Sequence, residues 1–588
     1  MAADAERAAR ATPAGDDRYK WIALSNTTVA VLLATIDSSI MLIAMPDIFR
    51  GIKLNPLVPS NSFYLLWMIL GYLVVSSVLV VSLGRLGDMF GRVKMYNLGF
   101  VIYTTASLLL TIDWMTGAAG ADWLIGFRIV QGIGGAFLMA NSAAILTDAF
   151  PANQRGLALG INNIAGITGS FLGLVMGGIL APIDWRLVFL VSVPFGLFGT
   201  IWAYKKLREL GVKTTAPVDW WGNGAFAVGL TLIMIGITNG IQPYGHSAMG
   251  WANPVVDLEL GSGAAFLAAF AVWQMRAAHP MFRLALFRIR AYTFGICSSF
   301  LSAVARGGLM FMMVIWLQGI WLPLHGFSFT ETPLWAGIYM LPLSLGFILA
   351  GPLSGYLSDR YDARYFATGG MVGASLAFVL INALPVDFQY VDFAAALLLN
   401  GLAMGAFASP NRASVMNSLP PEHRGAGGGM NTTFQNSAQV LSLGIFFSLM
   451  IAGLAAALPR TMATGLIAHG VPVRVAQQIG HLPPVSILFS AFLGYNPIRQ
   501  LVGGRVLSHL SHANVAALTG RHYFAALISQ PFHAGLHEAL TFAIVACLVA
   551  AAASWSRGKR YVHGQGTEPL AHGRVHRGED TMGQSPPR

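Results

Sequence analysis

The sequence predicts an all-α, polytopic membrane protein: two six-helix bundles of matching, pseudo-symmetric helix order plus two extra central helices, fourteen spans in all. Three observations predict it. Of the 588 residues, 55% are hydrophobic and 10% charged, with mean hydropathy +0.61, whereas a soluble domain carries about 25% charged residues. The apolar residues gather into runs long enough to cross a bilayer. Short motifs also recur roughly 270 residues apart. Gly84-Arg85-Leu86-Gly87-Asp88 matches Gly355-Tyr356-Leu357-Ser358-Asp359, with Arg360 and Arg364 following, and Gly135-Ala136-Phe137 matches Gly405-Ala406-Phe407. Pro151–Gly156 likewise matches Pro420–Gly425.

Taken in order, residues 1–20 are polar and mixed in charge, a cytoplasmic tail with no cleavable signal. Apolar runs then fall at roughly 21–45, 62–83, 95–112, 121–147, 157–181 and 186–204, forming an N-terminal six-helix bundle over 21–205. Two further runs, at roughly 220–241 and 256–277, occupy a linker over 206–290. Six more, at roughly 291–321, 333–357, 365–384, 391–413, 427–457 and 537–556, build the C-terminal bundle over 291–556. That bundle includes a long extracellular connection at 458–536, whose Ile487, Leu488, Phe489, Phe492 and Leu493 argue for order over the bundle or the lipid surface. Residues 557–588 form a second cytoplasmic tail.

The first motif, Gly84–Lys94, reads as a tight, charged turn at the membrane surface, in which Gly84, Gly87 and Gly91 permit a sharp bend. Asp88 stands where it can cap the next helix, and Arg85, Arg92 and Lys94 mark the cytoplasmic side. Basic residues collect on alternate connections, so both termini are predicted inside a cell inner or plasma membrane. The net charge of +11 is therefore topology and not a nucleic-acid patch. Cys297 and Cys547 both lie in apolar runs, so neither suggests a disulfide framework or a metal site. His509 and His512 share a helical turn, but no cysteine or acid completes a metal site, so no metal and no cofactor is expected.

Charged residues inside spans are costly and mark function. Asp37 lies in the first span, placed to take up and release protons. Arg128 and Gln131 share a face in the fourth, beside Gly132 and Gly135, and Arg128 is suited to modulate a nearby carboxylate. Arg306, in the ninth, has no acid in its own segment; it either pairs across the bundle, with Asp37 as a candidate, or faces the central cavity. One acid against two arginines favours a neutral or anionic amphiphile over a polycation. Trp67, Tyr72, Gln131, Arg306, Met313, Trp316 and Gln318 are candidate cavity residues.

These motifs resemble those of the major facilitator superfamily, in its fourteen-helix drug:proton antiporter family (EmrB/QacA type). Gly84–Lys94 resembles the loop motif after the second helix, and Arg128–Ala136 resembles the fourth-helix motif. Asp37 with Pro46 is similar to the first-helix motif, with Leu42 where Asn is usual. Gly169–Gly178 is similar to the antiporter motif of the fifth helix, with Leu174 where Pro is usual. Asp219-Trp220-Trp221-Gly222 opens the extra helix pair. The resemblance implies a proton-coupled antiporter working by alternating access, driven by the proton gradient, as a monomer in the lipid bilayer. It implies a coupling pair, Asp37 and Arg128, and a cytoplasmic gate of Gly84, Asp88, Gly91 and Arg92, with a weaker counterpart at Asp359 and Arg360. Gly169, Gly173, Gly177 and Gly178 would supply close helix packing. Multidrug or metabolite efflux is the leading function and a lipid transporter or flippase on the same scaffold the alternative. No motif points to an enzyme.

Overall fold

The computed structural model describes residues 17–151, 154–211, 213, 218–420, 423–494 and 496–558. Among them, 14 helices are long and apolar enough to cross a membrane. The N-terminal six are α1 (Asp17–Gly51), α2 (Asn61–Phe90), α3 (Arg92–Thr111), α4 (Gly117–Ala149), α5 (Arg155–Leu180) and α6 (Leu187–Lys206). The central pair is α7 (Trp220–Gly240) and α8 (Pro254–Arg276). Next come α9 (Arg290–Leu324), α10 (Thr332–Ser358), α11 (Ala363–Ala383), α12 (Tyr390–Asn417) and α13 (Arg424–Ala468). Five short helices follow: α14 (Val473–Gly480), α15 (Pro484–Phe492), α16 (Ile498–Val502), α17 (Gly504–Leu507) and α18 (His512–Thr519). The last span is α19 (Arg521–Ser556).

The repeated motifs correspond to repeated packing. In the first half α1 packs on α5, α2 on α4, and α3 on both α4 and α6. In the second half α9 packs on α13, α10 on α12, and α11 on both α12 and α19, which is the same arrangement. Contacts between halves also repeat, α2 against α13 and α5 against α10. The extra pair sits beside the α2–α13 seam, α7 touching both of those helices and α8 docking on α7.

Small residues set how close these helices come. A side chain at Gly169 or Gly173 would run into Thr35, Ser39 and the Leu32 and Ile36 backbone of α1, and one at Gly177 would meet Ile40. Gly178 points the other way and lies against the Leu334 backbone of α10, while Gly337 of α10 returns the contact onto Leu174 of α5. One glycine-rich face therefore packs α5 within its own half, and its last glycine packs the two halves together.

Asp219 ties down the linker. Its carboxylate caps α7, accepting from Gly222 N–H at 2.9 Å, and also accepts from the Trp273 indole at 2.8 Å and the Gln274 amide at 2.7 Å. Partial burial works to raise this carboxyl, but these bonds and that from Met281 N–H outweigh it and hold the group below the usual carboxylate value.

The connection expected at 458–536 is shorter than that range, and what remains of it is largely helical. α13 continues through Pro459 to Ala468, because Leu458, Met462 and Leu466 on this extension are buried against α14. α19 begins at Arg521 and passes through Pro531. What remains is α14–α18, and every residue of α15 is buried. Gly319 of α9 lies against the Ala491 and Phe492 backbone where the helix widens into a π-type turn over Leu317–Trp321. α15 also touches α2 and α13, so it is wedged between the halves. The histidines here serve as pins: ring N–H groups of His522 and His533 donate to the carbonyls of Pro323 (2.7 Å) and Leu384 (2.9 Å).

Replacing Gly173 by Val inserts a branched side chain into the α1–α5 contact. We expect a loss of about 1–3 kcal/mol, typical of overpacking, read as a lower unfolding temperature of the detergent-solubilised protein, with Gly261→Val, which meets open space, unaffected. Because the Asp219 carboxyl is depressed, its contribution is present above the ordinary carboxylate range and is lost as pH falls through the lowered value. Asp219→Asn is therefore expected to lower the unfolding temperature near neutrality and to flatten its fall below about pH 4.

Candidate functional site

Near the midpoint of α1, Asp37 is fully buried and enclosed by α2, α3 and α4. Arg128 of α4 forms an ion pair with one carboxylate oxygen. Gln131 donates its amide to the other at 3.0 Å and to Ser107 Oγ of α3 at 2.9 Å, while its carbonyl accepts from Arg128 at 2.7 Å. Arg128 completes its set with the Met68 carbonyl of α2 at 3.2 Å and stacks 4.7 Å above the Tyr72 ring. Gly132 and Gly135 make room for this, since a side chain at either would strike Tyr72. Four helices thus converge on one carboxylate, and both of its oxygens are occupied. Arg306 is not among its partners.

The motif at Gly84–Lys94 folds differently from an open loop. α2 continues to Phe90, and the turn is the single residue Gly91, at φ 116°, a conformation that favours glycine. Asp88 consequently lies in the last turn of α2 and does not cap α3. That role belongs to Glu209, which accepts from the N–H groups of Arg92 (2.8 Å) and Val93 (3.0 Å). Arg92 joins Asp88 Oδ1 at 2.8 Å to Asp148 Oδ1 of α4 at 2.6 Å. The network lies wholly within the first half, and Gly84 packs beside Ala140 of α4. Arg85 reaches outward to the Pro280 carbonyl after α8 at 2.6 Å. Of the second-half counterpart, Arg360 stacks on Tyr356 at 5.4 Å, and the Asp359 side chain lies outside the described residues. Asp362 instead caps α11 through Arg364 N–H at 2.9 Å.

The remaining candidates separate into three places. Tyr72 and Gln131 belong to the Asp37 cluster. Trp67, Met313 and Trp316 are buried in the main apolar core, with Trp316 packed edge-on against Phe388 and Phe393, and Gln318 reaches the Ile43 carbonyl at 3.5 Å across the halves. Arg306 stands apart: it is exposed, near the midpoint of α9, with no hydrogen-bond or ion-pair partner among the described residues. Toward the Gly91 end, Arg412 of α12 is also exposed and donates to Asn163 of α5 at 2.9 Å, bridging the halves. The bundle is thus sealed at the Trp316 end and exposes its inner arginines nearer the Gly91 end. Sequence reasoning missed Glu209, Asp148 and Asn163, since each acts on a partner distant in the chain. The described residues include no group of three or more His, Cys, Asp or Glu placed to hold a metal.

Residues 27–443 match the family model described as Major Facilitator Superfamily. The chain belongs to the major facilitator superfamily. Among curated proteins it is similar to the riboflavin transporter RibZ of Clostridioides difficile (strain 630), 28% identical over 436 residues, spanning 73% of this chain and 88% of RibZ. It is also similar to the multidrug resistance protein Stp of Mycobacterium tuberculosis (strain CDC 1551 / Oshkosh), 25% identical over 563 residues, 94% of each chain. Among solved structures, a bacterial homologue of the human lysosomal transporter Spinster, inward-facing and occupied, aligns with TM-score 0.56 at 15% identity, covering 92% of this chain and 97% of that one. At that identity the likeness concerns the fold. The protein is a multi-span membrane transporter of that superfamily and not an enzyme.

Arg128→Met leaves the Asp37 charge buried without its counter-ion and is expected to destabilise by about 3–5 kcal/mol. Asp37→Asn with Arg128→Met removes both charges and should recover much of that loss. A double-mutant cycle on unfolding temperatures checks the coupling.

Proposed function

We propose that the protein is a proton-coupled exporter of small amphipathic molecules, neutral or anionic, working by alternating access. The observation that carries this reading is the sealed Asp37–Arg128–Gln131 cluster. With Asp37 ionised the pair is neutral overall. Protonating Asp37 leaves an unpaired guanidinium in a low-dielectric interior, which is strongly unfavourable unless the cluster opens or Arg128 finds new partners. Proton uptake at Asp37 is therefore tied to movement of α1 against α4, helices whose far sides contact α5 and α2. The asymmetric sealing supports the alternation: closure at the Trp316 end, with inner polar residues exposed nearer the other. In this reading the Gly91 end and both termini face the cytoplasm, and the Arg92 network lies open to it.

The multidrug resistance protein and the riboflavin transporter among its relatives support a small-molecule cargo. In proteoliposomes under an imposed pH gradient, Asp37→Asn is expected to lose gradient-driven accumulation by at least about tenfold, or about 1.4 kcal/mol of coupled driving free energy. Exchange of cargo at equal pH on both sides should persist. Full accumulation by the variant overturns the coupling role.

A further inference from the structure

Arg306 and Asn400 are two unpartnered polar side chains that the Asp37 cluster does not explain. α9 and α12 run antiparallel and in contact along one face of each. Asn411 Nδ2 donates to the Gly295 carbonyl at 3.1 Å and to Ser299 Oγ at 2.7 Å. Ser302 Oγ lies 3.6 Å from Met404 Sδ, and the Trp316 and Phe393 rings are 6.0 Å apart. Ser299, Ser302 and Arg306 follow one another at three- and four-residue steps on α9, as Asn400 and Met404 do on α12, so they share the facing stripes. Interpolating the register between Ser302 with Met404 and Trp316 with Phe393 sets Asn400 at the height of Arg306.

Asn400 is fully buried, yet neither its amide nitrogen nor its oxygen has a partner. Leaving a buried amide unbonded costs about 1–3 kcal/mol, so the pair as it stands is an unfinished polar site. The internal repeat points to the same place. At the offset of roughly 270 residues relating the two halves, Arg306 corresponds to Asp37 and Asn400 to Gln131. In the first half those two residues are hydrogen-bonded at 3.0 Å and the carboxylate is neutralised by Arg128. In the second half the charge is inverted, Leu397 falls where Arg128 would be, and no counter-ion is supplied. Among the helices of that half the acids are Asp359, in the last turn of the helix that α10 belongs to and with its side chain outside the described residues, Asp392, in the first turn of α12, and Glu538, exposed on the face of α19 that also carries Val545.

We propose that Arg306 and Asn400 bind the oxyanion headgroup of the transported amphiphile, the guanidinium pairing with the anion and the Asn400 amide donating a hydrogen bond. This deepens the transport reading and rests on it, by assigning a substrate class to the C-terminal half while proton coupling stays in the N-terminal half. An anion there supplies the counter-charge that no described side chain gives Arg306.

The test uses the full chain in detergent and two probes of one ring system, naphthalene-2-sulfonate and naphthalene-2-sulfonamide, titrated by calorimetry. The sulfonate is expected to bind at least about tenfold more tightly, or about 1.4 kcal/mol. Arg306→Gln should abolish that preference and Arg306→Lys retain part of it. Asn400→Leu should weaken sulfonate binding alone while raising the unfolding temperature, which a purely structural asparagine would not do. Equal binding of the two probes by the wild type, or a preference surviving in Arg306→Gln, overturns the proposal. Accumulation of each probe under a pH gradient, measured beside it, separates the two readings. Failure of both to accumulate with the wild type overturns the transport reading, whereas retained accumulation with no sulfonate preference overturns the headgroup site only.

Discussion

The structure depends on one buried ion pair, Asp37 with Arg128. Hydrocarbon offers neither charge a solvent, so each is tolerable only because the other is present and because Gln131, itself held by Ser107, and the Met68 carbonyl take up further hydrogen bonds. That requirement dictates much of the N-terminal half. It needs α1, α2, α3 and α4 within reach of one point, and it needs glycines at positions 132 and 135 so that Tyr72 can lie under the guanidinium. It also makes the half rigid where the chemistry sits, since releasing any one partner leaves a charge in a medium that cannot screen it.

The two halves share a helix pattern but not its electrostatics. In the first half, charge is paired and sealed in the interior, and a further network of Asp88, Arg92, Asp148 and Glu209 ties α2, α3 and α4 together at the Gly91 end. In the second, a lone guanidinium is exposed near mid-height, and the corresponding loop relies on arginines stacked on rings, Arg360 on Tyr356 and Arg364 on Trp555. Duplicated architecture thus supports a division of labour: one half holds its ionisable group shut, and the other leaves its own accessible.

What was legible in the chain follows from what is local. The spans stood out because bilayer length and apolar run length are the same quantity. Asp37, Arg128 and Arg306 stood out because a charge in such a run is conspicuous. Their pairing was not legible: Asp37 had two arginines to choose from, and only the packing of α1 on α4 decides between them. Asp88 read as the cap of α3 because helix ends were drawn at the charged residues, whereas α2 runs on to Gly91 and the capping group arrives from Glu209 after α6. The extensions of α13 and α19 were hidden by Pro459, Pro531 and interspersed polar residues, and persist because their apolar faces are covered by neighbouring segments. Asn400 carried no signal of its own, since an isolated amide in a span is ordinary until its missing partners are seen.

The wedge formed by α15 gives the two ends of the molecule different temperaments. Ile487, Leu488, Phe489 and Phe492 hold the Trp316 end mainly by contact between apolar surfaces, an adhesion that slackens on cooling and that charge screening does not weaken. The Arg92 network at the far end is partly wetted, so ionic strength loosens it while temperature touches it little. Cold and salt therefore act on opposite ends of the same molecule, cold on the wedge between its halves and salt on the ties inside the first.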